Sequence, residues 1–149
     1  MKSLRGIGEA SLFYVDTNIF LNVIYKEAGF YDGSRKFLEL IQHGSFKAFT
    51  SSVTLLEVKL DMARSGCGDV ADKALGLIED VKNLEVISLD RVMVKMAGDY
   101  VLKDGLTVHD AYHLATALCG KADGFISRDE ELKAKIAGHV HVKYPEDIK

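Results

Sequence analysis

The chain has 149 residues, enough for one domain with a sizeable core, and its 48% hydrophobic content excludes a disordered polymer. With 19 basic and 22 acidic residues the net charge is −3, so the total shows no basic face for a phosphate backbone, although acids gathered around a cation would hide one. The apolar runs are far shorter than a membrane span, Met1 to Ala10 is too weakly apolar for a signal peptide, and Cys67 and Cys119 make no disulfide framework, so the expected location is the cytoplasm.

Taken in order, the chain alternates strands and helices. Leu12–Val15 reads as a strand with both faces buried, running into Asp16-Thr17-Asn18 and a helix from Asn18 to about Lys26 with Ile19, Phe20, Val23 and Ile24 on one face. Ala28-Gly29 stops it. Asp32 or Ser34 is expected to cap a second helix carrying Phe37, Leu38, Leu40 and Ile41, which ends at His43-Gly44. Strand two is Phe46–Thr50. Ser51, Ser52 or Thr54 then opens a third helix, with Val53, Leu56, Leu60 and Ala63 expected on its buried face and Ser65-Gly66 at its end. Gly66–Asp69 is a turn in which Asp69 caps a fourth helix, Val70–Val81, with Ala74, Leu77 and Val81 apolar; the third and fourth helices are expected to form a hairpin that projects from the domain. Leu84–Leu89 is strand three, Asp90 caps a helix to about Leu102, and Thr107 caps a sixth helix with Ala111, Leu114, Ala115 and Leu118 buried. Phe125-Ile126 is strand four, Asp129–Ile136 a last helix and His139–Val142 a last strand. A single proline, Pro145, leaves no Pro-rich linker, so residues 1–149 are expected to form one domain.

Strands separated by helices imply right-handed crossovers and an α/β fold with a parallel sheet. Sites in such sheets lie beyond the carboxyl ends of the strands. What recurs there is carboxylate: Asp16 after strand one, Glu57 in the helix after strand two, Asp110 in the first turn of the sixth helix, and Asp129 after strand four, with Ser127 beside it. Clustered carboxylates oppose one another's ionisation unless a cation compensates them. Oxygen ligands suit Mg²⁺ or Mn²⁺, which retain waters and accept substrate phosphate, and a metal-bound water is a nucleophile for phosphodiester hydrolysis. Each acid also has a purely structural explanation. Asp16 and Asp129 suit helix N-termini, Thr54-x-x-Glu57 matches a capping box, and Thr107-x-x-Asp110 nearly does. The conjunction of four acids at one sheet edge, in four separate segments, favours a site.

Four segments resemble the PIN-domain ribonucleases of the VapC toxin type: Val15-Asp16-Thr17-Asn18, Ser52-Val53-Thr54-Leu55-Leu56-Glu57, Leu106–Ala117 with His109-Asp110-Ala111, and Phe125-Ile126-Ser127-Arg128-Asp129. The resemblance covers roughly Leu12 to Val142, and the third segment is its most specific part. It implies a Rossmann-like PIN fold, with a central parallel sheet of about five strands and helices on both faces, and a divalent-metal-dependent endoribonuclease using Mg²⁺ or Mn²⁺. On this resemblance Asp16, Glu57, Asp110 and Asp129 are the metal-site acids, with Asn18 and Ser127 hydrogen-bonded around them. Ser127 stands where Thr is common, and Met1–Ser11 is unaccounted for. The resemblance also implies RNA as substrate, a homodimer, and an antitoxin protein whose segment enters the acidic groove.

Other residues admit other chemistry. His109 and His113 have the i, i+4 spacing of helical zinc ligands, but no Glu follows His109 as in a metalloprotease, so one is expected at the site rim and the other in solvent. Met93 and Met96 are expected to pack, and Lys26, Arg35, Lys36, Lys59 and Arg64 to be solvated or to line an RNA-contacting rim. A response-regulator receiver would use Asp16, phospho-acceptor Asp90, Ser127 and Lys143, but Thr17 is not the second acid it needs, and Glu57 and Asp110 would be idle. A phosphatase of the haloacid-dehalogenase type fits less well, since its second aspartate would be Asn18. A binding module that kept the fold without activity is the remaining alternative.

Overall fold

The computed structural model describes residues 11–148, so Met1–Ala10, where no signal peptide is expected, lie outside the described residues. The chain forms β1 (Leu12–Val15), α1 (Thr17–Ile24), α2 (Tyr31–Gln42), β2 (Lys47–Ser51), α3 (Ser52–Arg64), α4 (Ala71–Glu79), β3 (Leu84–Ile87), α5 (Arg91–Asp104), α6 (Val108–Cys119), β4 (Gly124–Ile126), α7 (Glu130–Ile136) and β5 (Val142–Lys143). Among the described residues the five strands make one parallel sheet in the order β3-β2-β1-β4-β5. This is the Rossmann-like α/β architecture.

Every residue of β1 is buried because the strand is central and helices cover both faces. Its side chains alternate. Leu12 and Tyr14 join the core beneath α5 and α6, while Phe13 and Val15 join the core beneath α1 to α4. Tyr14 lies at the centre of an aromatic layer, against Phe49 of β2 and Phe125 of β4, with ring centroids 5.3 and 5.0 Å away. Strand order reverses between β1 and β4, and Val15 is in register with Ile126. The residues that follow, Asp16 and Ser127, therefore emerge side by side at the switch point where doubly wound sheets bind ligands.

The topology removes the receiver alternative. Receivers order their strands 2-1-3-4-5, which places the third strand beside the first. Here β3 is an edge strand separated from β1 by β2, and Asp90 accepts the Met93 amide at 2.9 Å as the cap of α5. Gly105, at φ 67°, ends α5 in the left-handed conformation that glycine adopts without strain, and Thr107 then caps α6.

Several expected details differ. α2 begins at Tyr31 after Phe30, with no side-chain cap, so neither Asp32 nor Ser34 caps it; Ser34 is instead buried and donates to Asn22 Oδ1 at 2.9 Å. On α3 the buried stripe is Val53, Thr54, Val58 and Met62, and Leu56 and Ala63 are exposed. The stripe is rotated because hydroxyls draw Thr54 inward: Thr50 donates to the Val15 carbonyl at 2.7 Å, so Thr54 donates to Thr50 at 2.8 Å. Asp69 lies within a 3-10 turn, Gly68–Val70, and α4 starts only at Ala71. α3 and α4 do pair, but Val58, Met62, Ala71 and Ile78 seat them in the core, so the hairpin does not project; Leu77 is 63% exposed. β3 ends at Ile87, where its pairing with β2 ends. β5 is Val142–Lys143 rather than His139–Val142, because the His139 and Val140 amides return to the Ile136 carbonyl and close α7. Met93 is buried and Met96 packs against the same core, as expected.

Gly120 holds α6 close to the sheet. A Cβ there would collide with the Phe49 ring. Gly120→Ala is expected to destabilise the protein by about 1–3 kcal/mol through overpacking, read as a lower urea midpoint at unchanged slope; a neutral result would show that Phe49 can move aside.

Candidate active site

Asp16 is the innermost acid of the site. It N-caps α1, its carboxylate accepting the Thr17 amide at 2.8 Å, yet its residue exposure is only 6%. The other carboxylate oxygen accepts from Ser127 Oγ at 2.7 Å and Asn18 Nδ2 at 3.2 Å. Ser127 Oγ in turn accepts from Asn18 Nδ2 at 3.0 Å and from the Asp129 amide at 3.1 Å. Asn18 Oδ1 accepts the Arg128 amide at 3.3 Å. β1 and β4 are thus laced together beyond their last backbone pair by the two residues expected to support the site.

Glu57, on the first turns of α3, reaches the same edge from the opposite helical layer to α6. Thr17 Oγ1 donates to its Oε1 at 2.9 Å, and His113 Nε2 lies against the same oxygen. Thr54 is inside α3 and Ser51 is its cap, accepting the Val53 amide at 3.1 Å, so no Thr54–Glu57 capping box forms. Asp110 sits in the first turn of α6, where Thr107 Oγ1 accepts its backbone amide at 3.2 Å; the cap is the threonine, and the Asp110 carboxylate is left to face the pocket. Asp129 caps α7 through the Leu132 amide at 3.0 Å and also borders the pocket, where it is exposed. The structure therefore brings Asp16, Glu57, Asp110 and Asp129 to one pocket of about 280 Å³, bordered also by Thr17, Asn18, Leu21, Asp61, Arg64 and His109.

The electrostatics distinguish the four. Burial, and after it the Glu57 charge, push the Asp16 carboxyl up against the opposing pull of His113, Ser127 and the Thr17 amide. Burial and then the Asp16 charge raise Asp110, with Asp129 adding to the rise while Thr107 and His113 oppose it. Burial would also raise Glu57, but the hydrogen bond and charge of His113, with Thr17, outweigh it and hold Glu57 below its ordinary value. Burial depresses His113, but Asp16, Glu57 and Asp110 together outweigh that and raise it.

His113 corrects the expectation that one of the two histidines is solvated. His109 does line the pocket, but His113 is 1% exposed, with both ring nitrogens engaged. The two do not converge as zinc ligands. The signal was present in the sequence: His113 lies three residues after Asp110, on the same face of a helix whose neighbouring positions are apolar. Thr17 and Tyr14 were likewise not singled out for chemistry. Arg128 ties the Ser127–Asp129 loop to the body of the fold through Asn22, Ser34, Glu146 and the Phe30 ring. Of the basic residues considered for a rim, Arg64 borders the pocket, while Lys59 pairs with Asp72 and Arg35 with Glu39.

Among the described residues no group of three or more His, Cys, Asp or Glu side chains is arranged to hold a metal ion by itself. That arrangement is what a closed zinc site would need. Mg²⁺ and Mn²⁺ need less: oxygen donors, one or two direct carboxylates, and retained waters. Asp16, Asp110 and Asp129 share one pocket, where burial and then the charges of Asp16 and Asp129 raise Asp110, and they fit a hydrated divalent cation of that kind.

Comparison with protein-family models finds the PIN domain over residues 13–137. The chain belongs to the PIN domain family. Among solved structures it is similar to VapC20 of Mycobacterium tuberculosis, a sarcin-ricin loop cleaving toxin (19% identity, 88% of this chain and 98% of that one, TM-score 0.71). It is also similar to VapBC2 of Rickettsia felis bound to a DNA fragment from its promoter (18%, 89% and 98%, TM-score 0.67) and to a toxin–antitoxin complex from Klebsiella pneumoniae (20%, 91% and 98%, TM-score 0.63). At these identities the likeness is one of fold. A comparison with curated protein sequences finds no match.

Asp110 allows the cap and the site to be separated. Its folded pKa is raised, so ionising it costs stability in metal-free protein; the cost is absent below the unfolded carboxyl pKa and complete above the folded one. With EDTA at pH 7, Asp110→Asn is therefore expected to melt at or above the wild-type temperature, whereas loss of a favourable first-turn charge would cost about 0.3–1 kcal/mol. With Mg²⁺ at a hundredfold excess over Kd the wild type gains about 2.7 kcal/mol, the mutant loses most of that gain, and the gain grows as pH rises through the raised carboxylate pKa values. Equal destabilisation of the mutant in EDTA and Mg²⁺ would make Asp110 a structural acid only.

Proposed function

We propose that this protein is a divalent-metal-dependent endoribonuclease of the VapC type, the toxin of a toxin–antitoxin pair, using Mg²⁺ or Mn²⁺ at Asp16, Glu57, Asp110 and Asp129. The observation that carries the proposal is the buried Asp16 carboxylate at the sheet's switch point, facing a pocket shared with Asp110 and Asp129. Bound there, Mg²⁺ or Mn²⁺ would polarise a phosphoryl oxygen and make a coordinated water nucleophilic near neutral pH. The residues do the rest. Asp16, held by Ser127, Asn18 and the Thr17 amide, offers an oriented oxygen without further reorganisation. Asp110 and Asp129 face the same space from α6 and α7, and their charge is available to orient waters. Arg64 at the pocket edge is placed to meet a phosphate of the flanking chain. No side-chain nucleophile is required.

RNA as the substrate, and an antitoxin as the partner, come from the likeness to a loop-cleaving toxin and to toxin–antitoxin complexes. No helix among the described residues is long and apolar enough to cross a membrane. The test is cleavage of single-stranded RNA by purified protein. Cleavage is expected in Mg²⁺ or Mn²⁺, is abolished by EDTA, and is lost in Asp16→Ala. Equal cleavage with chelator, unchanged in Asp16→Ala, would contradict it; metal-independent binding without cleavage would favour a binding module.

The proposal includes a homodimer formed by the hairpin of α3 and α4, which leaves Leu56, Val70 and Leu77 exposed. Sedimentation at micromolar concentration is expected to show a dimer that Leu77→Asp dissociates. A monomer throughout would count against it.

A further inference from the structure

We propose that His113 is a positioning residue: clamped from beneath by the Tyr14 hydroxyl, it fixes Glu57 across the carboxyl edge of the sheet and so sets which oxygen of Glu57 the pocket can use. As a statement about metal and RNA it rests on the nuclease reading; as a statement about the pairing it does not.

The geometry is specific. Tyr14 is fully buried in the aromatic layer, and its hydroxyl lies 2.5 Å from His113 Nδ1. The two rings meet edge-on at 68°, centroids 5.7 Å apart, so the ring contact and the hydroxyl together favour one orientation of the imidazole. Its Nε2 meets Glu57 Oε1, which also accepts from Thr17 Oγ1 at 2.9 Å. An ionised carboxylate only accepts, so Nε2 carries the proton. Oε1 is thereby committed twice on its inner side. Oε2 is the oxygen left toward the pocket, 3.7 Å from His109 Nδ1. Glu57 comes from α3, in the layer whose core holds Val58 and Met62; His113 comes from α6, in the layer whose core holds Leu114 and Ala115. The pair spans the sheet edge and fastens the two layers where the site lies. Outer hydrogen-bond partners of this kind orient the groups that meet a metal, and their loss costs affinity or rate without removing a ligand.

Three variants of the full chain test the proposal: Tyr14→Phe, which keeps the ring and removes the hydroxyl; His113→Leu, which keeps volume and removes both nitrogens; and His113→Gln, whose amide nitrogen can reach the Nε2 position. The metal readout is Mn²⁺ affinity by electron paramagnetic resonance, set beside kcat and KM for single-stranded RNA. His113→Leu is expected to lose about 10- to 100-fold in Mn²⁺ affinity or kcat, as outer-shell changes do. Its KM for RNA should be little altered, Tyr14→Phe should lose less, and His113→Gln should recover most of the loss. Wild-type affinity and kcat in a folded His113→Leu would overturn the proposal. Tighter Mn²⁺ binding would overturn it too, showing that the ring competes with metal, as would a glutamine no better than leucine. If His113→Leu does not fold, Tyr14→Phe decides: reduced Mn²⁺ affinity or kcat supports the proposal, and wild-type values for both overturn it. The independent readout is the imidazole N–H resonance in metal-free protein. A downfield, solvent-protected Nε2 proton that shifts in Glu57→Gln supports the pairing, and one indifferent to Glu57 overturns it. If the wild type neither binds Mn²⁺ nor cleaves RNA, the nuclease reading falls and this resonance alone decides the pairing.

Discussion

The buried carboxylate of Asp16 is the constraint around which this fold is arranged. A charge taken from water must be met by hydrogen bonds or by opposite charge. Here the Thr17 amide, Ser127, Asn18 and, 3.6 Å away, His113 supply both. Those partners come from the strand–helix junctions of β1 and β4 and from α6. Satisfying one acid therefore fixes three segments relative to one another, and a sheet whose order reverses between β1 and β4 is the topology that brings them within reach.

Helix capping and site chemistry are parts of one arrangement rather than rival explanations. The N-termini of α1, α3, α6 and α7 follow strand ends or run toward the same edge, capped by Asp16, Ser51, Thr107 and Asp129. Their amide dipoles favour negative charge at that edge. Burial, and after it the neighbouring carboxylates, still raise Asp16 and Asp110. Glu57 differs because His113 and Thr17 engage its Oε1 from below, so the acids divide into one half-paired carboxylate, with Oε2 left toward the pocket, and others whose charge is more fully open to an external cation.

Much of this was legible in the sequence. The buried run before Asp16, the caps at Asp90 and Thr107 and the alternation of strand and helix define the α/β fold, and the four acids do converge on one pocket. What escaped was set by tertiary contacts. The rotation of α3 depends on a threonine chain reaching the Val15 carbonyl, which an apolar-periodicity count reads as polar and exposed. Periodicity overrated Leu56 for the same reason, and Leu77 of α4 is likewise exposed. The pairing of His113 with Glu57 joins residues 56 positions apart and needs the sheet order before it can be seen. β5 was displaced because a two-residue edge strand carries almost no pattern of its own.

The acids of this pocket are proposed to hold a divalent cation. Paramagnetic broadening of amide resonances by substoichiometric Mn²⁺ locates such an ion directly in the metal-free protein. The amides of Asp16, Thr17, Asn18, Asp110 and Asp129 are expected to broaden first, and millimolar Mg²⁺ to restore them. Uniform broadening over the acidic surface, or a focus elsewhere, would contradict it.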